Sequence, residues 1–205
     1  MSYKTFASMN IALIGTGVET IAKKFAKAGH KVFIGSEYDY IEPLISTTPK
    51  SVKYTTILNA ASLADVVIIA TAPQDVRQAA YELADVRSKV IIDFTALMDT
   101  TPSATSSAIR SITSSQHVIK CFLPTGYEDL LIPNIHEFGA DLYIAGTSKK
   151  AKALTAILAL DLGYKSHYDI GGNGAINVLD EMTLHASKKQ KLKPVLVPVP
   201  VAVRK

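Results

Sequence analysis

Ile11-Ala12-Leu13-Ile14-Gly15-Thr16-Gly17-Val18-Glu19-Thr20 carries more structural information than any other stretch of the chain. An apolar run ends in Gly15, and Val18, Ile21, Ala22, Phe25 and Ala28 then recur at helical spacing. The pattern predicts a strand over Ile11–Gly15, a tight glycine turn, and a helix over Val18–Ala28 that Gly29 stops in a left-handed conformation. Gly15 allows the sharp turn. Gly17 lets a diphosphate approach the backbone, and the helix opening at Val18 directs free N–H groups and its positive dipole end at it. The third glycine usual for such a turn is replaced by Thr20, whose side chain makes the helix stand off from the strand. Two glycines alone also fit a plain turn without a ligand, so the surrounding elements have to decide.

Working outward, strand-like and helix-like segments alternate. Lys31–Gly35 reads as the second strand, Tyr38–Ser46 as a short helix, and Val52–Tyr54 as a weak third strand. Asp65–Thr71 and Lys89–Phe94 are continuous β-branched runs, which signal a parallel sheet covered on both faces. Asp75–Leu83 is helical between them. Thr100–Ser115, rich in Ser and Thr, keeps helical spacing at Ala104, Ser107, Ala108 and Ile112 and reads as a polar surface helix behind Pro102. His117–Phe122 is a strand, followed by a loop through Glu137. Asp141–Ala145 is a strand, Lys149–Leu162 a helix ended by Gly163, Lys165–Ile170 a last strand, and Ala175–Ser187 a final helix. The expectation is an α/β fold with a doubly wound, mostly parallel sheet of Rossmann type, occupying 1–187 as one dinucleotide-binding domain. A tail over 188–205, with Pro194, Pro198 and Pro200 among valines, reads as an extended arm.

In such a sheet the ligand sits outside the carboxyl ends of the strands. Candidate cofactor-binding residues are therefore Gly15, Thr16, Gly17 and Val18 at the first turn, with Ser36 and Glu37 after the second strand. Thr71, Ala72 and Pro73, then Thr95, then Pro124 and Thr125 follow at later strand ends. Glu37 as a carboxylate accepts from the ribose hydroxyls and repels a 2′-phosphate, whereas Ser36 donates to one; Glu37 facing solvent is the plain alternative. The cofactor is thus NADP or NAD.

Several further stretches carry a family likeness. They are Asn10-Ile11-Ala12-Leu13-Ile14-Gly15-Thr16-Gly17, Ala28-Gly29-His30-Lys31-Val32 and Val32-Phe33-Ile34-Gly35-Ser36. Later come Ala70-Thr71-Ala72-Pro73 and Lys120-Cys121-Phe122-Leu123-Pro124-Thr125-Gly126-Tyr127-Glu128-Asp129-Leu130. Asp161-Leu162-Gly163-Tyr164 and Asp169-Ile170-Gly171-Gly172 complete the set. As an ordered set over about residues 9–187, the chain resembles the deazaflavin-dependent NADP oxidoreductase family, which is itself similar to the cytosolic domains of certain metalloreductases. The resemblance implies NADP at the glycine turn and hydride transfer between nicotinamide and a deazaflavin, flavin or similar redox acceptor. The family often has Gly-Ser-Arg after the second strand, with the arginine on the 2′-phosphate; this chain has Glu37 in that place.

The strand-end segments are apolar or hydroxyl-bearing and present no evident histidine or lysine. A dehydrogenase acting on an alcohol needs a positioned acid or base. Transfer between two ring cofactors needs mainly positioning and exclusion of water. The sequence suits the second task and names no catalytic residue. Tyr127, Glu128 and Asp129 are the nearest proton-donor candidates, with a solvated, capped loop as the plainer reading. Asp93 reads as a strand-end aspartate capping the next turn, and Cys121 as a buried strand residue. His30, His117, His136, His167 and His185 are scattered without metal spacing, so no metal is expected. A catalytically silent nucleotide sensor or partner-docking protein, and a small-molecule imine or carbonyl reductase, are the alternative functions.

Composition narrows the rest. Hydrophobic residues make up 48% and charged residues 20% of 205, which excludes general disorder. No apolar run approaches a membrane span, and the first residues do not read as a secretory signal. With one cysteine there is no internal disulfide, and a cytoplasmic location is expected. The net charge of +4 sits in the tail: six Lys/Arg follow Ser187, leaving 16 basic against 18 acidic residues before it. A mildly acidic body is a poor nucleic-acid binder. Ile176, Leu179 and Met182 give the last helix an apolar face, and with the tail they suggest a homodimer.

Overall fold

A computed structural model of the chain describes residues 8–36, 49–83, 85–95, 105–122, 141–164 and 166–182. The elements are β1 (Asn10–Ile14), α1 (Glu19–Lys27), β2 (Lys31–Gly35), β3 (Val52–Thr55), α2 (Ile57–Leu63), β4 (Val66–Ile69) and α3 (Val76–Glu82). They continue with β5 (Val90–Asp93), α4 (Thr105–Thr113), β6 (Val118–Phe122), β7 (Asp141–Ala145), α5 (Lys149–Leu162) and β8 (Ser166–Gly171). A single 3-10 turn, Asn173–Ala175, leads into a helix α6 over 176–182. The eight strands form one sheet in the order β3-β2-β1-β4-β5-β6-β7-β8. All neighbours pair in parallel except β6 with β7, so the fold is the doubly wound, mostly parallel α/β sheet expected.

Alternation along the central strands builds a core on each face of the sheet. Ile11 and Leu13 of β1, with Val66 and Ile68 of β4, pack with Phe25 of α1 and Leu158 of α5. Ala12 and Ile14, with Val67 and Ile69, pack with Ala60 of α2, Ala79 of α3 and Ile109 of α4. The turn between α1 and β2 is tied to α5: His30 Nε2 lies 2.9 Å from Asp161 Oδ2. The main-chain N–H of Met9 donates to His30 Nδ1 at 3.2 Å, which leaves the ring proton on Nε2 to be donated to Asp161.

The helix α2 was not anticipated from the sequence; the Thr56 hydroxyl caps its start by accepting from the Asn59 N–H, and Lys89 Nζ closes its far end on the carbonyls of Ala61, Ser62 and Ala64. The stretch read as a polar surface helix is helical over Thr105–Thr113, but Thr105, Ser106, Ala108, Ile109 and Thr113 are buried. Its hydroxyls face inward because a buried carboxylate, Asp93, takes their hydrogen bonds. The Tyr38–Ser46 helix, the loop through Glu137, the end of the final helix and the 188–205 tail lie outside the described residues.

Candidate functional site

The glycine corner joins β1 to α1. Gly15 has φ +145° and Gly17 has φ +72°, both in the region that favours glycine. The two glycines serve different purposes. A Cβ at Gly15 would stand 2.3 Å from the carbonyl oxygen of Ala70, so the turn passes directly against the end of β4. A Cβ at Gly17 would meet nothing within 4 Å, so open space faces the main chain there. Val18, whose side chain is buried, stands at the N-cap position before α1, and no side chain caps the helix N-terminus. Its first amides are therefore offered to an outside acceptor.

Beside this corner lies an open cavity of about 330 Å³ at the carboxyl ends of β1, β2 and β4. Gly15 and Thr16 form one wall, Gly35 and Ser36 another, and Thr71 and Ala72 a third. Ile57 of α2 and Ala79 of α3 give it an apolar side, and Asp75 adds a carboxylate. The Thr71 hydroxyl is buried and has no hydrogen-bond partner among the described residues. Thr20 is not among the lining residues, so its side chain does not plug the corner. Room at Gly17, an uncapped helix start and an unpartnered hydroxyl together fit a diphosphate with a sugar on either side.

Of the residues expected to bind a cofactor, Gly15, Thr16, Ser36, Thr71 and Ala72 come together around this cavity. Gly17 and Val18 follow Thr16 into the start of α1 and are not among the residues that line the cavity. Pro73 follows Ala72 in the turn before α3, and Thr95 is buried beyond the end of β5. Glu37, Pro124, Thr125, Tyr127, Glu128 and Asp129 lie outside the described residues.

Sequence reading passed over a polar cluster next to the site. Lys120 in β6 is fully buried, and its Nζ lies 3.3 Å from Asp93 Oδ2, 3.1 Å from the Thr95 carbonyl, 3.1 Å from the Thr105 hydroxyl and 3.6 Å from Asp180 Oδ1. Burial by itself raises the Asp93 carboxyl, but the Lys120 ammonium and hydrogen bonds from Ser106, Thr105 and the Thr95 N–H outweigh it and hold it below the usual carboxylate range. Asp180 goes the other way: burial raises it, Lys120 offsets part of the rise, and Asp93 adds to it. A lysine in the middle of Val118-Ile119-Lys120-Cys121-Phe122 was the available signal, since a buried ammonium requires a partner. Asp93 caps the Thr95 N–H as expected, at 3.1 Å. Cys121 is buried, and burial pushes its thiol up. Among the described residues no group of three or more His, Cys, Asp or Glu is placed to hold a metal ion.

The strand order and the glycine corner define a doubly wound α/β fold of Rossmann type, with a cavity at the carboxyl ends of its strands. Residues 10–97, somewhat less than half of the chain, match the family described as NADP oxidoreductase, coenzyme F420-dependent, which bears out the resemblance read from the sequence over that stretch. No curated protein sequence matches the chain. Among solved structures, one described as a candidate F420-dependent NADP-reductase from Arthrobacter sp. FB24 superposes with a TM-score of 0.70 at 21% identity, covering 85% of this chain and 90% of that one. A reductive aminase from Aspergillus terreus in complex with NADPH and ethyl levulinate gives 0.63 at 15% identity, covering 90% of this chain and 61% of its own. An imine reductase variant from Myxococcus stipitatus in complex with NAD+ gives 0.57 at 18%, covering 91% and 59%. At these identities the likeness is one of fold, and this chain spans about three fifths of the length of the last two.

Proposed function

We propose that the chain is a nicotinamide-dependent oxidoreductase that moves hydride between NAD(P)(H) and a deazaflavin, flavin or similar redox acceptor. The observation that carries this reading is the cavity at Gly15, Thr16, Ser36 and Thr71, open beside an uncapped helix start. The family match over residues 10–97 supports it. When bound, the dinucleotide supplies the hydride chemistry. The chain's own residues bind and orient it: amides of the Gly15–Val18 corner hold the diphosphate, Ser36 and Glu37 meet the adenosine ribose, and Thr71, Ala72 and Pro73 border it on the β4 side. Pro124 and Thr125 remain cofactor-binding candidates on the sequence alone. The described lining offers hydroxyls, apolar surface and one carboxylate, Asp75, with no histidine or lysine, which favours positioning over proton transfer.

The experiment is a fluorescence titration of purified protein with NADPH and with NADH, wild type beside Glu37→Arg, followed by turnover with a deazaflavin or flavin acceptor. Saturable binding with oxidation of the reduced nucleotide is the expected result, and Glu37→Arg is expected to shift preference toward the phosphorylated form. No saturable change with either nucleotide overturns the reading. Binding without turnover across acceptors would favour a silent sensor instead.

The same reading treats 1–187 as one domain, 188–205 as an arm, and the working form as a cytoplasmic homodimer. A sedimentation mass of one chain at micromolar concentration would contradict the dimer. Among the described residues no helix is long and apolar enough to cross a membrane.

A further inference from the structure

β6 runs parallel to β5 and β7 runs against it, so the chain enters β6 and leaves β7 on the same edge of the sheet, at the amino ends of the parallel strands. That edge is opposite the glycine corner, and the five-residue length of β6 sets the two about 16 Å or more apart. A second open cavity, of about 530 Å³, lies there. Arg110 of α4, His117 before β6, Ser148, Lys149 and Lys150 at the start of α5, and Asn173 of the 3-10 turn line it. Three lysines and arginines and a histidine thus face one space with no aspartate or glutamate in its lining, on a body that is mildly acidic. The ion pairs among the described residues join His30 to Asp161, Lys120 to Asp93 and Asp180, and Lys152 to Asp169, and none reaches this cavity.

The cations are held in place without being neutralised. The Arg110 guanidinium donates to Asn173 Oδ1 and to Ser107 Oγ, each at 3.1 Å, so neutral oxygens fix its fork and its other N–H groups are left over. Ser148 Oγ accepts from the Ala151 N–H at 3.1 Å and lies 2.8 Å from His117 Nδ1. The hydroxyl proton therefore goes to Nδ1, and the ring's own proton sits on Nε2 as a spare donor. Lys149 and Lys150 stand in the first turn of α5 with no acidic residue beside them, where the positive end of the helix dipole disfavours cations. Lys150 reaches only the Ser88 carbonyl, at 3.4 Å, whereas Lys152 further along the helix is paired with Asp169 at 2.6 Å. Residues set against their local electrostatics mark positions under functional constraint. An anion in the cavity reverses the sign of this arrangement, because it attracts the lysines, the arginine and the dipole together.

We propose that this cavity binds the phosphate group of a small organic phosphate, at a site separate from the glycine corner and independent of the dinucleotide reading. An arginine fork backed by two lysines matches a phosphate dianion better than the single charge of a carboxylate, and the cavity has room for more than the ion itself. The test is an amide NMR titration of the full chain at fixed ionic strength with glycerol phosphate, inorganic phosphate and acetate, each balanced with sodium chloride. Wild type is compared with Arg110→Gln and with the double variant Lys149→Gln/Lys150→Gln. Both phosphates should move the amides of 147–150 and the His117 ring signals along a saturating curve, with the ester at least as tight as the free ion. Each variant should bind about fivefold or more weakly. Lys149 and Lys150 are exposed, so the double variant carries the test if the Arg110→Gln spectrum is not that of a folded protein. Shifts confined to residues 15–18, an equal response to acetate, or variant affinities equal to wild type overturn the site. Inorganic phosphate bound while the ester is refused overturns the organic ligand.

Discussion

Lys120 and Asp93 stand at paired register positions on two parallel strands, and their side chains form an ion pair of 3.3 Å that is wholly inside the protein. Neither residue could be there alone, because an unpaired charge in an apolar interior is far more costly than a paired one. Asp180, from the last described helix, approaches the same ammonium at 3.6 Å, and one cation therefore serves two carboxyls. Asp93 holds four donors and is the ionised member; Asp180, with one distant contact, keeps its proton to higher pH.

This asymmetry sets a stability prediction with a definite sign. The folded-state pKa of Asp93 is depressed, so it contributes stability above its unfolded pKa of about 4, and that contribution is lost as pH falls through the folded value. The folded-state pKa of Asp180 is raised, so its contribution is present below about pH 4 and is lost as pH rises toward the folded value. Urea unfolding at pH 7 should show Asp93→Asn costing about 3 kcal/mol or more and Asp180→Asn about 1 kcal/mol or less. Repeating the series down to pH 3 should show Asp93→Asn losing less stability on acidification than wild type.

The two glycines of the corner should separate stability from binding. Gly15→Ala places a methyl against the Ala70 carbonyl and forces the turn apart, with an expected loss of about 2–4 kcal/mol in chemical denaturation. Gly17→Ala has room for its methyl and carries only the strain of a positive φ, about 1 kcal/mol. Its methyl occupies the open space where we propose the diphosphate to sit, so its main effect should be on nucleotide affinity. A Gly17→Ala protein that binds nucleotide as wild type does would argue against the phosphate cradle.

The link between the turn after α1 and the helix α5 should be visible in the same assay. His30 is 2% exposed and uses both ring nitrogens, one accepting from Met9 and one donating to Asp161. Replacing it with alanine leaves a cavity beside Phe25 and orphans the Met9 amide, for an expected loss of about 2–3 kcal/mol. Asp161→Asn keeps an acceptor for the ring and should cost about 1 kcal/mol or less.

Cys121 should behave as an inert core thiol. Burial keeps it protonated well above the ordinary range, and the thiolate is the reactive form. In native protein at pH 8 the reaction with a disulfide reagent should be limited by unfolding, whereas in denaturant it should go to completion within the mixing time of a slow assay. Fast labelling of the native protein would contradict the buried placement.

Local pattern determined much of this protein. The apolar run into Gly15-Thr16-Gly17, the spacing of Val18 to Ala28 and the β-branched runs at Asp65–Thr71 and Lys89–Phe94 were enough for the parallel sheet and its glycine corner, because period and glycine placement are properties of neighbouring residues. The grouping of Gly15, Ser36 and Thr71 around one cavity also followed, since strand order in this fold brings successive carboxyl ends together. Other features lay beyond reach of local pattern. The helix Ile57–Leu63 is secured at its far end by Lys89, a residue 26 positions beyond it. The inward face of Thr105 and Ser106 exists because Asp93 is buried opposite them, and Asp93 is buried because Lys120 and Asp180 arrive from later strands and helices. Charges inside a fold are stable only as partners, and partnership across 27 or 60 residues of chain is decided by how the sheet is ordered, which only the tertiary structure contains.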